Sequence, residues 1–128
     1  MSRPGSAGEA LDRRLQPLID LRGVRMVSVV DGDGLLIRQH TTGPDAEAVA
    51  GHVPVVVGAT RGMVRDAALE PPSVIVSESG NGVVLVAPLV MDFSLLVVAD
   101  GHAVLGSIRY VLRETVPDVN SLLARGYR

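Results

Sequence analysis

The sequence contains no cysteine, no lysine and no tryptophan. Without cysteine there are no disulfides, no thiol nucleophile and no thiolate metal site. Histidine occurs only at positions 40, 52 and 102, with no metal-ligand spacing, which argues against a zinc enzyme. Aromatic residues are as scarce. Phe93, Tyr110 and Tyr127 are the full set, too few for a base-stacking platform. Positive charge is all arginine and is scattered, so no basic patch for nucleic acid forms along the chain. Long apolar runs are also missing. The run from Gly82 to Met91 is too short to cross a bilayer as a helix. The N-terminus, MSRPGSAGEA, lacks the apolar centre of a secretion signal, so a cytoplasmic location is expected.

What is present is aliphatic. Hydrophobic residues make up 47% and charged residues 20% of 128 residues. That excludes a disordered chain and suffices for one core without staples. A leader is expected over residues 1–8 and a single domain over 9–125. Leu11, Leu15, Leu18 and Ile19 follow a helical period and predict a helix over 9–21, kinked or shortened at Pro17 and stopped at Gly23. Val24–Val30 and Leu35–His40 read as strands joined in a hairpin across Asp31-Gly32-Asp33-Gly34. Thr42 or Asp45 is placed to cap the next helix.

The stretch from Ala46 to Leu69 keeps a helical period through Val49, Val53, Val56, Thr60, Met63 and Ala67. One long helix kinked at Pro54 is expected, and a short strand over 53–57 competes with it. Pro71-Pro72 ends this segment. Strands are expected over 73–78, 83–89 and 93–99, the first two joined by a turn centred on Asn81-Gly82. The runs 83–87 and 95–98 do not alternate with polar residues, so helices should cover both faces of the sheet. A last helix starts near Val104, with Pro117 interrupting it and a further turn or two over 118–125. The order is α-β-β-α-β-β-β-α, an α+β pattern.

Candidate chemistry is thin. The acidic cluster at 31–34 lacks the closing carboxylate of a calcium loop, because Thr42 stands at that place. Turn formation accounts for it. Gly58-Ala59-Thr60-Arg61-Gly62 lacks the ending of a phosphate loop. Two glycines in a helix cost about 1 kcal/mol each relative to alanine. Close approach of the same helix in a second copy would offset that, as would packing on the chain's own sheet. Val56, Gly58, Ala59, Thr60, Gly62 and Met63 are the candidate interface. Arg61 and Arg65 share a helix face, as do Arg109 and Arg113. Such pairs suit a solvated face or a partner's acidic patch. Ser77, Ser79, Ser94 and Ser107 sit in no nucleophile motif, and His102 beside Asp100 is a chance-level pair.

The element order resembles the roadblock / dynein light chain family. The likeness is closest where Leu95–Asp100 leads through a short loop into Leu105-Gly106-Ser107-Ile108-Arg109-Tyr110-Val111-Leu112-Arg113. Gly23-Val24, the turn at 31–34 and the small-residue helix around Gly58-Ala59-Thr60 extend it over roughly residues 9–116. Pro54 in the long helix departs from the family pattern. The composition, rich in valine, alanine, glycine and arginine, fits a GC-rich bacterial genome.

The resemblance implies a five-stranded antiparallel sheet with one long helix on one face and two on the other. It also implies a dimer through the long helix and an edge strand, no enzymatic activity and no cofactor. The implied partner is a small Ras-like GTPase whose nucleotide state the dimer modulates. Direct membrane insertion and nucleic-acid binding have no place in that expectation. The alternative is a PAS- or GAF-like small-molecule sensor, which needs a pocket of several hundred Å3 with converging polar groups.

Overall fold

The computed structural model describes residues 6–126. Helix α1 spans Ser6–Ile19. It therefore starts inside the stretch expected as a leader, and residues 1–5 of that leader lie outside the described residues. Leu11, Leu15 and Leu18 form its buried stripe. Pro17 stands in the last turn, where its missing N–H disturbs little. Gly23 follows at φ 82°, and a side chain there would collide with the backbone of Ala103. Conformation and crowding both require glycine at that stop.

Strands β1 (Val24–Val30) and β2 (Leu36–Thr41) form the expected hairpin. The Asp31 carboxylate accepts the amides of Asp33 and Leu35, each at 2.9 Å, and Gly34 adopts φ 86°. The acidic cluster is turn chemistry. Asp45, rather than Thr42, caps the next helix by accepting the Ala48 amide at 3.2 Å. Thr42 instead takes the Arg25 guanidinium.

The single long helix is a correction. The chain makes two helices, α2 (Ala46–Ala50) and α3 (Val53–Asp66), separated by Gly51-His52. Pro54 has no N–H to donate to the Ala50 carbonyl, so the hydrogen-bond ladder breaks there, although Gly51 and His52 keep right-handed helical φ/ψ. The same proline suits the first turn of α3, where no donor is needed. The competing strand over 53–57 does not form, and Val53 and Val57 are buried one helical turn apart. α3 ends at Asp66, short of Leu69, because Ala68 turns the chain at φ 61°.

Strands β3 (Ile75–Ser79) and β4 (Gly82–Pro88) pair antiparallel. Ser79 pairs with Gly82, so Gly80-Asn81 make the turn instead of Asn81-Gly82. Gly82 is glycine for another reason: a methyl there would overlap the Ala99 carbonyl oxygen. A 3-10 turn over Val90–Asp92 leads into β5 (Ser94–Asp100). Helix α4 spans Leu105–Ala124 and continues through Pro117, where an interruption was expected. Leu112 and Thr115 before the proline and Val119 and Leu123 after it are all buried, so packing holds both halves in one helix.

The sheet order is β2-β1-β5-β4-β3, with every neighbouring pair antiparallel. Leu11, Leu85 and Leu95 with Val97 and Ile108 fill the core between the sheet and α1 and α4. Met26, Val30, Val53, Val57 and Leu96 fill a smaller core under α2 and α3. The non-alternating strands are thus covered on both faces, as the α+β pattern required. No helix among the described residues is long and apolar enough to cross a membrane.

Candidate functional site

With Val53 and Val57 turned to the sheet, the helical period points Val55, Val56, Ala59, Gly62 and Met63 outward along α3. The aliphatic members stay in water: Val55 is 74%, Met63 66% and Val56 38% exposed. A contiguous apolar stripe on one helix is unusual for a surface that faces only solvent.

Four of the six sequence-expected interface residues, Val56, Ala59, Gly62 and Met63, share this stripe. Thr60 turns toward the sheet, and its hydroxyl donates to the Val56 carbonyl at 2.8 Å. Gly58 stands on the other flank. There it lines a cleft of about 90 Å3 with Arg61, Asp31 and Asp92. A methyl on Gly58 would meet nothing within 4 Å, so packing on the chain's own sheet does not explain that glycine. Val55 joins the stripe without having been among the expected interface residues. Its signal was the spacing Val55, Ala59, Gly62, hidden within an undifferentiated valine run.

Beside the stripe a groove of about 350 Å3 runs between α2–α3 and the β3–β4 edge. Val49, Val53 and Val56 form one wall, and Ile75, Val84 and Val86 the other. The groove has the volume a small-molecule sensor would need. It is nonetheless open to solvent along exposed Val56 and Ser77, and His52 and Ser77 do not make a converging polar set. The sensory alternative finds no support in it.

The arginines flank the stripe. Arg61 Nη1 lies 3.5 Å from Asp92 Oδ1, and Arg65 Nε lies 3.4 Å from Asp66 Oδ1. All four side chains are well exposed, and such pairs contribute about 0–1 kcal/mol. Asp92 and the preceding Met91 both adopt left-handed φ, 62° and 56°. Non-glycine residues held so cost about 1–3 kcal/mol each. The Asn120 side chain fixes this turn by accepting the Val90 amide at 2.9 Å.

The remaining candidates settle as structure. Asp100 accepts the backbone amide of His102 at 2.9 Å, which closes a turn and does not engage the imidazole. That amide is the main influence holding the Asp100 carboxyl below the usual carboxylate range; desolvation opposes it, and Arg25 adds to it. Ser94 is buried in β5, Ser77 and Ser79 lie on β3, and Ser107 is exposed on α4. Among the described residues no group of three histidine, aspartate or glutamate side chains is placed to hold a metal ion. Arg109 and Arg113 lie on α4, across the sheet from α3.

A five-stranded antiparallel sheet between two helix layers, with an unpartnered apolar stripe on the central helix, defines a roadblock-type domain. The chain belongs to the Roadblock/LC7 domain family, whose model matches residues 11–99. Three solved structures show how far the fold carries. The gliding protein MglB from Thermus thermophilus superposes with a TM-score of 0.86 at 16% identity, covering 97% of this chain and 96% of that one. MglB from Myxococcus xanthus superposes at 0.79 and 16% identity, covering 97% and 99%. An MglB described in a tetrameric arrangement superposes at 0.79 and 17% identity, covering 94% and 90%. At these identities the likeness is one of fold. No curated protein matches the sequence.

Proposed function

We propose that this chain is a non-enzymatic, homodimeric adaptor of the cytoplasm that binds a small Ras-like GTPase and modulates its nucleotide state. The observation that carries the reading is the exposed stripe of Val55, Val56, Ala59, Gly62 and Met63 beside an open apolar groove. A second copy laid against α3 buries both stripes at once, and a two-fold pair needs only this one self-complementary surface. The small residues let the helices approach closely, with Gly58 and Thr60 at the margin of the seam. The edge strand β3 lies beside the groove, so the pair also covers an open sheet edge.

Membership of the Roadblock/LC7 family supports the partner class. The tetrameric arrangement described for one MglB supports self-association as a habit of this fold. Arg61 and Arg65 border the seam, so a GTPase resting on the paired helices meets arginines from both subunits. It is modulated either through ordering of its own catalytic residues or by an inserted arginine. Arg61 must first leave Asp92, and an exposed pair of this kind is weak enough to exchange.

Two measurements test this. Light scattering is expected to give a dimer mass, and Met63→Glu to give a folded monomer. Calorimetry against a small Ras-like GTPase is expected to show tighter binding to one nucleotide state. A parent protein that is strictly monomeric, or heats of binding that are absent or identical for the GDP and GTP-analogue forms, overturns the reading.

A further inference from the structure

We propose that the cleft between α4 and the segment entering β3 is a docking site for an acidic segment of a partner protein that carries an aliphatic side chain between its carboxylates. The cleft lies on the sheet face opposite α3, so this site is independent of the dimer reading. Its floor is apolar: Val74, Leu112 and Val116 enclose about 210 Å3. That is below the ~300–1,000 Å3 typical of small-molecule pockets and suits a side chain better than a cofactor.

The rim supplies the charge. Arg109 and Arg113 stand one helical turn apart on α4, both exposed, and both line the cleft. Neither has an ion-pair partner among the described residues; the same holds for Arg13, Arg14, Arg22 and Arg125, but Arg109 and Arg113 stand together on the rim of one cleft. Two adjacent, uncompensated guanidinium groups run against a net charge of -2. They match a carboxylate-bearing ligand, which arginine can hold by paired hydrogen bonds. Glu114 and Asp118, the nearest acids along α4, do not line the cleft.

Pro117 completes the rim. It lines the same cleft and, lacking an N–H, makes no bond to the Arg113 carbonyl one turn back. Two arginines over an apolar floor suit an acidic segment with an aliphatic side chain between its carboxylates.

The test uses the full chain and a short fluorescein-labelled peptide of alternating glutamate and leucine. Lysine–leucine and glutamate–serine peptides serve as comparators. The glutamate–leucine peptide is expected to bind best, to weaken as salt rises, and to lose about tenfold or more in affinity against R109E/R113E. Amide shifts on binding are expected at Ser73, Val74 and along α4. Should the charge-reversed protein melt early, R109Q/R113Q is used, with the same loss expected in smaller degree. The proposal is overturned if no peptide binds, if the comparators bind equally well, if both arginine variants bind like the parent, or if the shifts fall on α3. The dimer mass stays unchanged in the arginine variants, which separates this result from the fate of the dimer reading.

Discussion

Single residues carry sharp local demands. Ser28 is fully buried on β1, and its hydroxyl has no hydrogen-bond partner among the described residues. An unsatisfied buried hydroxyl costs about 1–3 kcal/mol. Ser28→Ala is therefore expected to stabilise the fold by about 1 kcal/mol and to raise the melting temperature by a few degrees. A lower melting temperature would mean that the hydroxyl finds a partner in solution. Gly82 makes the opposite demand. A methyl there would overlap the Ala99 carbonyl oxygen across the β4–β5 pair. Gly82→Ala should cost about 1–3 kcal/mol in a denaturant titration, the usual size of an overpacking penalty.

At the scale of elements, two prolines have opposite outcomes. Pro54 splits the expected long helix with only the five residues of α2 ahead of it, although Ala46 and Ala50 on one side and Val53 and Val57 on the other are buried in one core. The Gly34 turn lies against the junction, where an added Cβ would come within about 3.3 Å of the Ala50 carbonyl and the Pro54 ring. Pro117 leaves α4 whole because leucine and valine side chains on both sides of it are buried in the same core. The proline still forfeits a backbone bond to Arg113. Pro117→Ala is expected to raise stability by up to about 3 kcal/mol, the measured gap between the two residues in helix interiors. Thermal melts read by circular dichroism check this, and a loss of stability would show that the kink is part of the α4 packing.

For the whole molecule the proposed pairing through α3 makes its own predictions. The stripe on α3 places Val55 at its centre and Gly58 at its edge. Val55→Glu sets two like charges into the seam and is expected to give monomers. Gly58→Leu fills open space in the single chain and should leave the monomer fold intact. It also removes a helix glycine that disfavours the helix by about 1 kcal/mol. At the seam its bulk is expected to weaken the pair without abolishing it. Sedimentation velocity at several concentrations distinguishes the two. A Val55→Glu protein that stays dimeric would move the seam away from α3.

Much of this architecture was legible in the chain itself. Strand pairs around Asp31–Gly34 and around Ser79–Gly82, a helix cap at Thr42 or Asp45 and the helical stripe of Leu11, Leu15 and Leu18 are local chemistry, set by residues a few positions apart. The double covering of β4 and β5 was legible too, because only strands buried on both faces lack alternation. The candidate site was half legible. Val56, Ala59, Gly62 and Met63 share one stripe with Val55, which the valine run 55–57 conceals, while Gly58 and Thr60 lie at its margins.

Sequence by itself determined the order of elements and the apolar or polar character of each, since both follow from periodicity and turn residues. Tertiary structure decided the rest. It chose which flank of α3 meets the sheet, let α4 run on through Pro117, paired Arg61 with Asp92, and set Arg109 and Arg113 together over a cleft beside β3. Each of these depends on contacts between residues far apart in the chain, and a local pattern fixes the phase of a helix without fixing what it turns that phase toward.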